Sequence, residues 1–162
     1  MSDSADVFAM TNPALCAVVL ASFVGGYERG AGEWPKLPIL FLPVPIVLSE
    51  RIARTFKGTN RSTGLLEWLA REPHVAPIVG QRIQLAQDLS RRALLFGTRY
   101  GLLKLEEDGV SISVARRVTR RLASREVASG TVLHRRIAAR LGTWVGEVRS
   151  PATVFHSFGV MP

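Results

Sequence analysis

The chain has 162 residues, 47% of them hydrophobic, with a net charge of +8. That is enough apolar material for a genuine core in one domain, or two very small ones, and it excludes a disordered chain. The charge excess lies wholly in the second half: residues 1–81 hold seven Lys/Arg and seven Asp/Glu, residues 82–162 fourteen and six.

Only Lys36, Lys57 and Lys104 are lysines. Arginine forks phosphate and carboxylate groups, which suits nucleic-acid or acidic-protein partners. A single cysteine, Cys16, cannot form an intramolecular disulfide and fits a cytoplasmic chain. The first ten residues carry Asp3 and Asp6 and no Lys or Arg, so they do not read as a signal peptide. The apolar runs Pro13–Val24 and Leu37–Leu48 are 12 residues each, against the roughly 18–20 that a spanning helix needs. Both read as buried core or interface, with no membrane contact.

Residues 1–11 read as a loose, flexible tail. Asn12 offers an N-cap and Pro13 suits the first helical position, so Ala14 to Phe23 is a helix. Gly25-Gly26 is expected to stop it near Tyr27. It is apolar nearly all round, the pattern of a helix covered on several sides. After a Gly-rich loop, Leu37–Leu48 contains three prolines, which rules against a regular central strand. Pro45 can start a short helix there. The run either enters the core or docks on a partner.

Residues 49–61 are polar and basic. A short helix over Leu65–Arg71 must end before Pro73. From Ile78 onward, Val79, Ile83, Ala86, Leu89, Ala93, Phe96 and Tyr100 lay one apolar stripe along a helix of about six turns. Gly101 can end it. Leu102–Leu105, the turn Glu106-Glu107-Asp108-Gly109 and Val110–Val114 read as a β-hairpin. The order short helix, turn, long helix, hairpin is that of a winged-helix unit.

Residues 115–130 are arginine-rich, a loop or marginal helix. The last strong helix carries Leu133, Ile137, Leu141, Trp144 and Val148 on one face, with Arg135, Arg136 and Arg140 on others. Ser150-Pro151 ends it. The remaining residues, 150–162, form an apolar tail whose Val154, Phe155, Phe158 and Val160 want burial on the core or on a partner. The fold expected is mostly α with a small β-hairpin wing, winged-helix-like, as a single domain over 12–149.

Catalytic chemistry finds little footing. His74, His134 and His156 lie far apart, without metal-ligand spacing, and no phosphate-binding loop is present. Cys16 sits within an apolar helix, where a thiol is usually inert. Glu106-Glu107-Asp108 reads as a solvated turn; its spacing matches no cation loop. The expectation is a protein that is not an enzyme and uses no metal or cofactor. Arg116, Arg117, Arg120, Arg121, Arg125, Arg135, Arg136 and Arg140 are the candidates for contact with DNA backbone or an acidic partner, with a solvated surface as the plain alternative. Aromatics are not interleaved with them, which disfavours a platform for stacking single strands. The acidic hairpin tip would repel phosphates.

Several stretches together resemble a known family. These are Asn12-Pro13-Ala14-Leu15-Cys16, the run Leu37–Leu48, Arg92-Ala93-Leu94-Leu95-Phe96-Gly97, Ser150-Pro151-Ala152-Thr153-Val154 and Phe158-Gly159-Val160. They look like the middle component of bacterial three-component ABC-ATPase systems, of which Lamassu-type anti-phage systems are the best-known kind. The resemblance implies a non-catalytic accessory subunit. Its partners would be an SMC/Rad50-like ATPase and a nuclease-like effector, with DNA as a further contact. Leu40, Phe41, Val44, Ile46, Val154, Phe155, Phe158 and Val160 would form the partner interface. The alternative reading is a free-standing winged-helix transcriptional regulator that binds DNA.

Overall fold

The structure is a computed structural model that describes residues 12–112 and 129–161. Eight α-helices and one antiparallel two-stranded hairpin make up the described part, so the chain is mostly α with a small β wing. The helices are α1 (Pro13–Ala31), α2 (Pro43–Val47), α3 (Glu50–Ala53), α4 (Leu65–Arg71), α5 (Val75–Leu85), α6 (Gln87–Arg99), α7 (Ser129–Val148) and α8 (Pro151–Ser157). Single 3₁₀ turns occupy Leu37–Phe41 and Arg54–Phe56. The strands β1 (Leu103–Leu105) and β2 (Val110–Ile112) pair with Lys104 opposite Ser111.

Asn12 caps α1 as its sequence suggests: its Oδ1 accepts from the amides of Ala14 and Leu15 at 3.0 and 3.2 Å. The helix does not stop at Gly25-Gly26. It continues to Ala31 and ends where Gly32 adopts φ 77°, a left-handed cap open to glycine. Gly26 and Gly30 have a different purpose. On α7, Gly142 and Gly146 repeat the same spacing, and the two helices cross with these four glycines at the contact. A Cβ on Gly142 would lie 2.8 Å from the Tyr27 amide nitrogen, and one on Gly146 would lie 2.6 Å from the Tyr27 carbonyl oxygen. Side chains at these positions would hold the backbones apart; glycine lets them touch.

Around this pair the core assembles. Cys16, Leu20, Phe23 and Val24 of α1 are fully buried, as are Ala138, Leu141 and Trp144 of α7. α6 packs on α1 next most extensively, followed by α2 and β2. The helix that is apolar all round is thus central, with cover on several sides.

Two further elements differ from the sequence expectation. The six-turn helix is two helices, with a break at Ala86 (φ −94°, ψ 5°). Its stripe still faces inward: Val79, Ile83, Ala86, Leu89 and Ala93 are buried, whereas Tyr100 is exposed. The apolar tail is the helix α8, capped by Ser150, whose Oγ accepts from the Thr153 amide at 3.2 Å. Arg149 makes the corner between α7 and α8 with φ 59°. Residues 113–128, and with them the predicted loop or marginal helix, lie outside the described residues, as do residues 1–11. Among the described residues no helix is long and apolar enough to cross a membrane.

Candidate partner interface

The polar segment after α2 is tied down by α7. Ser49 caps α3, and Glu50 pairs with Arg54 one turn on, an exposed pair worth a few tenths of a kcal/mol. Phe56 then turns inward. Its ring stacks on Trp144, with centroids 5.4 Å apart and planes 5° apart, and meets Trp68 at 4.7 Å. Such pairs add about 1 kcal/mol each beyond the area they bury. The Trp68 indole N–H donates to Thr55 Oγ1 at 3.0 Å. The Trp144 indole N–H is shared between the carbonyls of Asn60 and Arg61, each 3.1 Å away. One turn earlier on α7, Arg140 donates to Thr59 Oγ1 at 3.0 Å and to the Phe56 carbonyl at 3.4 Å. Residues 54–61 are therefore a fixed wall.

Between that wall and α7 lies a groove of about 860 Å³. Leu48, Ala53, Phe56, Leu133 and Ile137 give it an apolar floor; Arg54, Lys57, Arg136 and Arg140 give it a basic rim, with Glu50 the one carboxylate. Leu133 is 52% exposed although it begins the apolar stripe of α7. The adjacent Val132 is half exposed as well. A half-bare leucine and valine beside a basic groove are a feature of docking surfaces.

Of the arginines singled out in the sequence, Arg116, Arg117, Arg120, Arg121 and Arg125 lie outside the described residues. Arg136 is exposed on the groove, Arg135 is half-buried, and Arg140 is half-buried and bonded to the wall. The apolar candidates are placed elsewhere. Leu40, Val44, Ile46, Val154, Phe155 and Phe158 are buried in the chain's own core, and Phe41 and Val160 pack against it half-buried. Of the two places the sequence left open for these stretches, core or partner, the fold puts them on the core: the prolines wrap Leu37–Leu48 into short turns, and α8 folds back onto the body. Lys57, Phe56 and Leu133 were not singled out as a site. The signal was weak, a basic loop and the free end of an apolar stripe, and only the fold joins them.

The hairpin is not free-standing. The Trp34 indole N–H donates to Asp108 Oδ1 at 3.1 Å, and the Val110 amide donates to the Pro35 carbonyl at 3.0 Å. A Cβ on Gly109 would lie 2.5 Å from that carbonyl oxygen, so the turn lies flat on residues 34–35. The Ser111 hydroxyl and the Lys104 ammonium hold Glu106 below the usual carboxylate range. Its acidic tip is thus engaged with its own chain.

Elsewhere, burial pushes the Cys16 thiol up to about 12, which keeps it protonated and unreactive at neutral pH. Among the described residues no group of three or more His, Cys, Asp or Glu could hold a metal ion.

No curated protein and no solved structure matches this chain. One family does: the description is ABC-three component (ABC-3C) system Middle Component 3, and the match runs over residues 3–162. With nearly every residue covered, the chain belongs to this family of middle components in ABC-three component systems.

Proposed function

We propose that this middle component is a non-catalytic adaptor that joins an SMC/Rad50-like ATPase to a nuclease-like effector in cytoplasmic defence against phage or plasmid DNA. Membership of a multi-component system means that it works with protein partners. The observation that carries the adaptor reading is the groove: an apolar floor with a basic rim, built on a wall that α7 holds rigid. Preorganised surfaces of this kind bind without a large ordering cost. The arginines of residues 116–140 face DNA backbone or an acidic partner, and contact with DNA backbone would weaken as salt rises.

Co-expression of the three components tests the reading. The ATPase and the effector are expected to co-purify through this chain. If they assemble equally well without it, or if neither binds it, the adaptor role is wrong. For the DNA contact, Arg116, Arg117, Arg120 and Arg121 are reversed to Glu together. DNA retention by the assembled complex is expected to weaken; unchanged retention returns those arginines to a solvated surface. Exposed His74 and His156 serve for the catalytic question: their replacement by Ala is expected to leave the assembly's turnover unchanged.

A further inference from the structure

The groove between residues 48–59 and α7 restricts what can occupy it. Four cations and one carboxylate line it, and that carboxylate, Glu50, pairs with Arg54. Lys57 and Arg136 are exposed and meet no carboxylate among the described residues. The rim therefore selects negative charge. The floor selects something else as well. Half-exposed Leu133 and partly exposed Ala53 offer apolar surface, over the edges of the nearly buried Leu48, Phe56 and Ile137, that a phosphate backbone cannot use. An occupant has to be acidic and also carry apolar anchors.

The chain's own undescribed stretch does not meet that requirement. Residues 113–128 contain five arginines and one glutamate, the same sign as the rim. A second copy of the chain is a poor occupant for the same reason, since its net charge is +8.

Resting on the adaptor reading of this groove, we propose that it receives an acidic amphipathic segment of a partner protein. Apolar side chains at helical spacing would seat on Leu133 and Ala53, over the edges of Ile137 and Phe56, and flanking Asp or Glu would meet Lys57, Arg136 and Arg54. Grooves floored by apolar side chains take amphipathic helices through anchors one turn apart. The rim charges set approach and register.

The test uses the full chain and fluorescently labelled synthetic peptides. One peptide has Leu at helical spacing among Glu residues. A second replaces Glu by Lys, and a third keeps Glu and replaces Leu by Ser. A short DNA duplex competes. The Glu/Leu peptide is expected to bind saturably and to weaken as salt rises, with the other two much weaker. Lys57→Glu with Arg136→Glu, and separately Leu133→Ser, are each expected to weaken binding by about tenfold or more. All three residues are exposed, so thermal unfolding of the variants should match the parent chain.

Absence of saturable binding overturns the proposal, as does equal binding of all three peptides. Full displacement by the duplex makes the groove a nucleic-acid site instead. Serine in place of all five arginines of residues 113–128 should leave binding equal or weaker; a rise of about tenfold would make that segment the native occupant and overturn the proposal. The adaptor reading fails separately. If the Glu/Leu peptide binds but the ATPase and effector do not co-purify with this chain, the adaptor falls and the groove stands. If they co-purify and the groove variants change neither assembly nor peptide binding, the groove falls and the adaptor stands.

Discussion

The hydroxyl of Thr143 donates to the carbonyl oxygen of Gly26 at 3.1 Å, across 117 residues of sequence. It shares that proton with the carbonyl of Ala139, one turn back on its own helix. A side chain as short as threonine bonds a neighbouring helix's backbone only when the two backbones nearly touch. Gly26, Gly30, Gly142 and Gly146 make that approach possible. The crossing in turn fixes which face of α7 is left to hold residues 54–61 and to line the groove.

A methyl group at that crossing has no room. Alanine would raise helix propensity at Gly142 by about 1 kcal/mol. The added Cβ would meet the Phe23 carbonyl and lie 2.8 Å from the Tyr27 nitrogen, and both are backbone that cannot rotate away. Overpacking of this kind costs about 3 kcal/mol, so Gly142→Ala is expected to lose about 2 kcal/mol net. Gly25→Ala is the control. Its Cβ would meet only the movable tip of Ile112 at 2.9 Å and Arg29 at 3.8 Å, so the propensity gain is largely kept and stability should hold or rise by up to about 1 kcal/mol. Denaturant midpoints of the two variants decide the matter.

Much of the secondary structure was legible because it rests on local chemistry. Asn12-Pro13 announced α1, Asp108-Gly109 announced the hairpin turn, and the stripe from Ile137 to Trp144 announced the buried face of α7. The long helix misled because its apolar positions continue through the break. Two successive steps of three, Ile83 to Ala86 to Leu89, would turn the stripe by about 120° on a straight helix. The break at Ala86 re-aims it. The glycines misled for another reason: their use lies in a second helix more than a hundred residues away. The groove was least legible. Its wall is set by Arg140 and Trp144 reaching a loop some 80 residues earlier, and no periodicity encodes such a pairing.

That pairing predicts a local effect. Trp144→Phe keeps a ring near Phe56 but removes the N–H held by Asn60 and Arg61. The lost bond and the smaller ring together cost about 2 kcal/mol. Amide exchange over residues 57–63 is expected to speed up more than exchange in α1. Uniform acceleration would mean that the indole supports the core as a whole and not this loop.

Cys16 makes a prediction at alkaline pH. Folded, its thiol keeps its proton up to about pH 12, chiefly because of burial, while the ordinary value is 9.0. Between those values the folded chain binds more protons than the unfolded one, so stability falls as pH rises. The contribution is complete below pH 9 and is lost as pH rises toward 12, a change on the order of a few kcal/mol. Tyr27 is raised for the same reason and pulls in the same direction. Cys16→Ala is therefore expected to flatten the alkaline decline without abolishing it. An identical decline in this variant would exclude the thiol as a cause.

The last helix separates a core element from a detachable tail. Phe158 is 1% exposed and Val154 is equally buried, both within the cluster that includes Trp144 and Leu141. Emptying a phenylalanine site costs about 3–4 kcal/mol, so Phe158→Ala should lower the melting temperature sharply. Phe158→Leu should recover most of that loss, because it refills the volume. The corner feeding this helix carries a strain that can be relieved. Arg149 has φ 59°, which costs a residue with a Cβ about 1 kcal/mol, so Arg149→Gly is expected to hold stability or raise it slightly. A chain that melts unchanged with Phe158→Ala would show α8 to be dispensable to the fold.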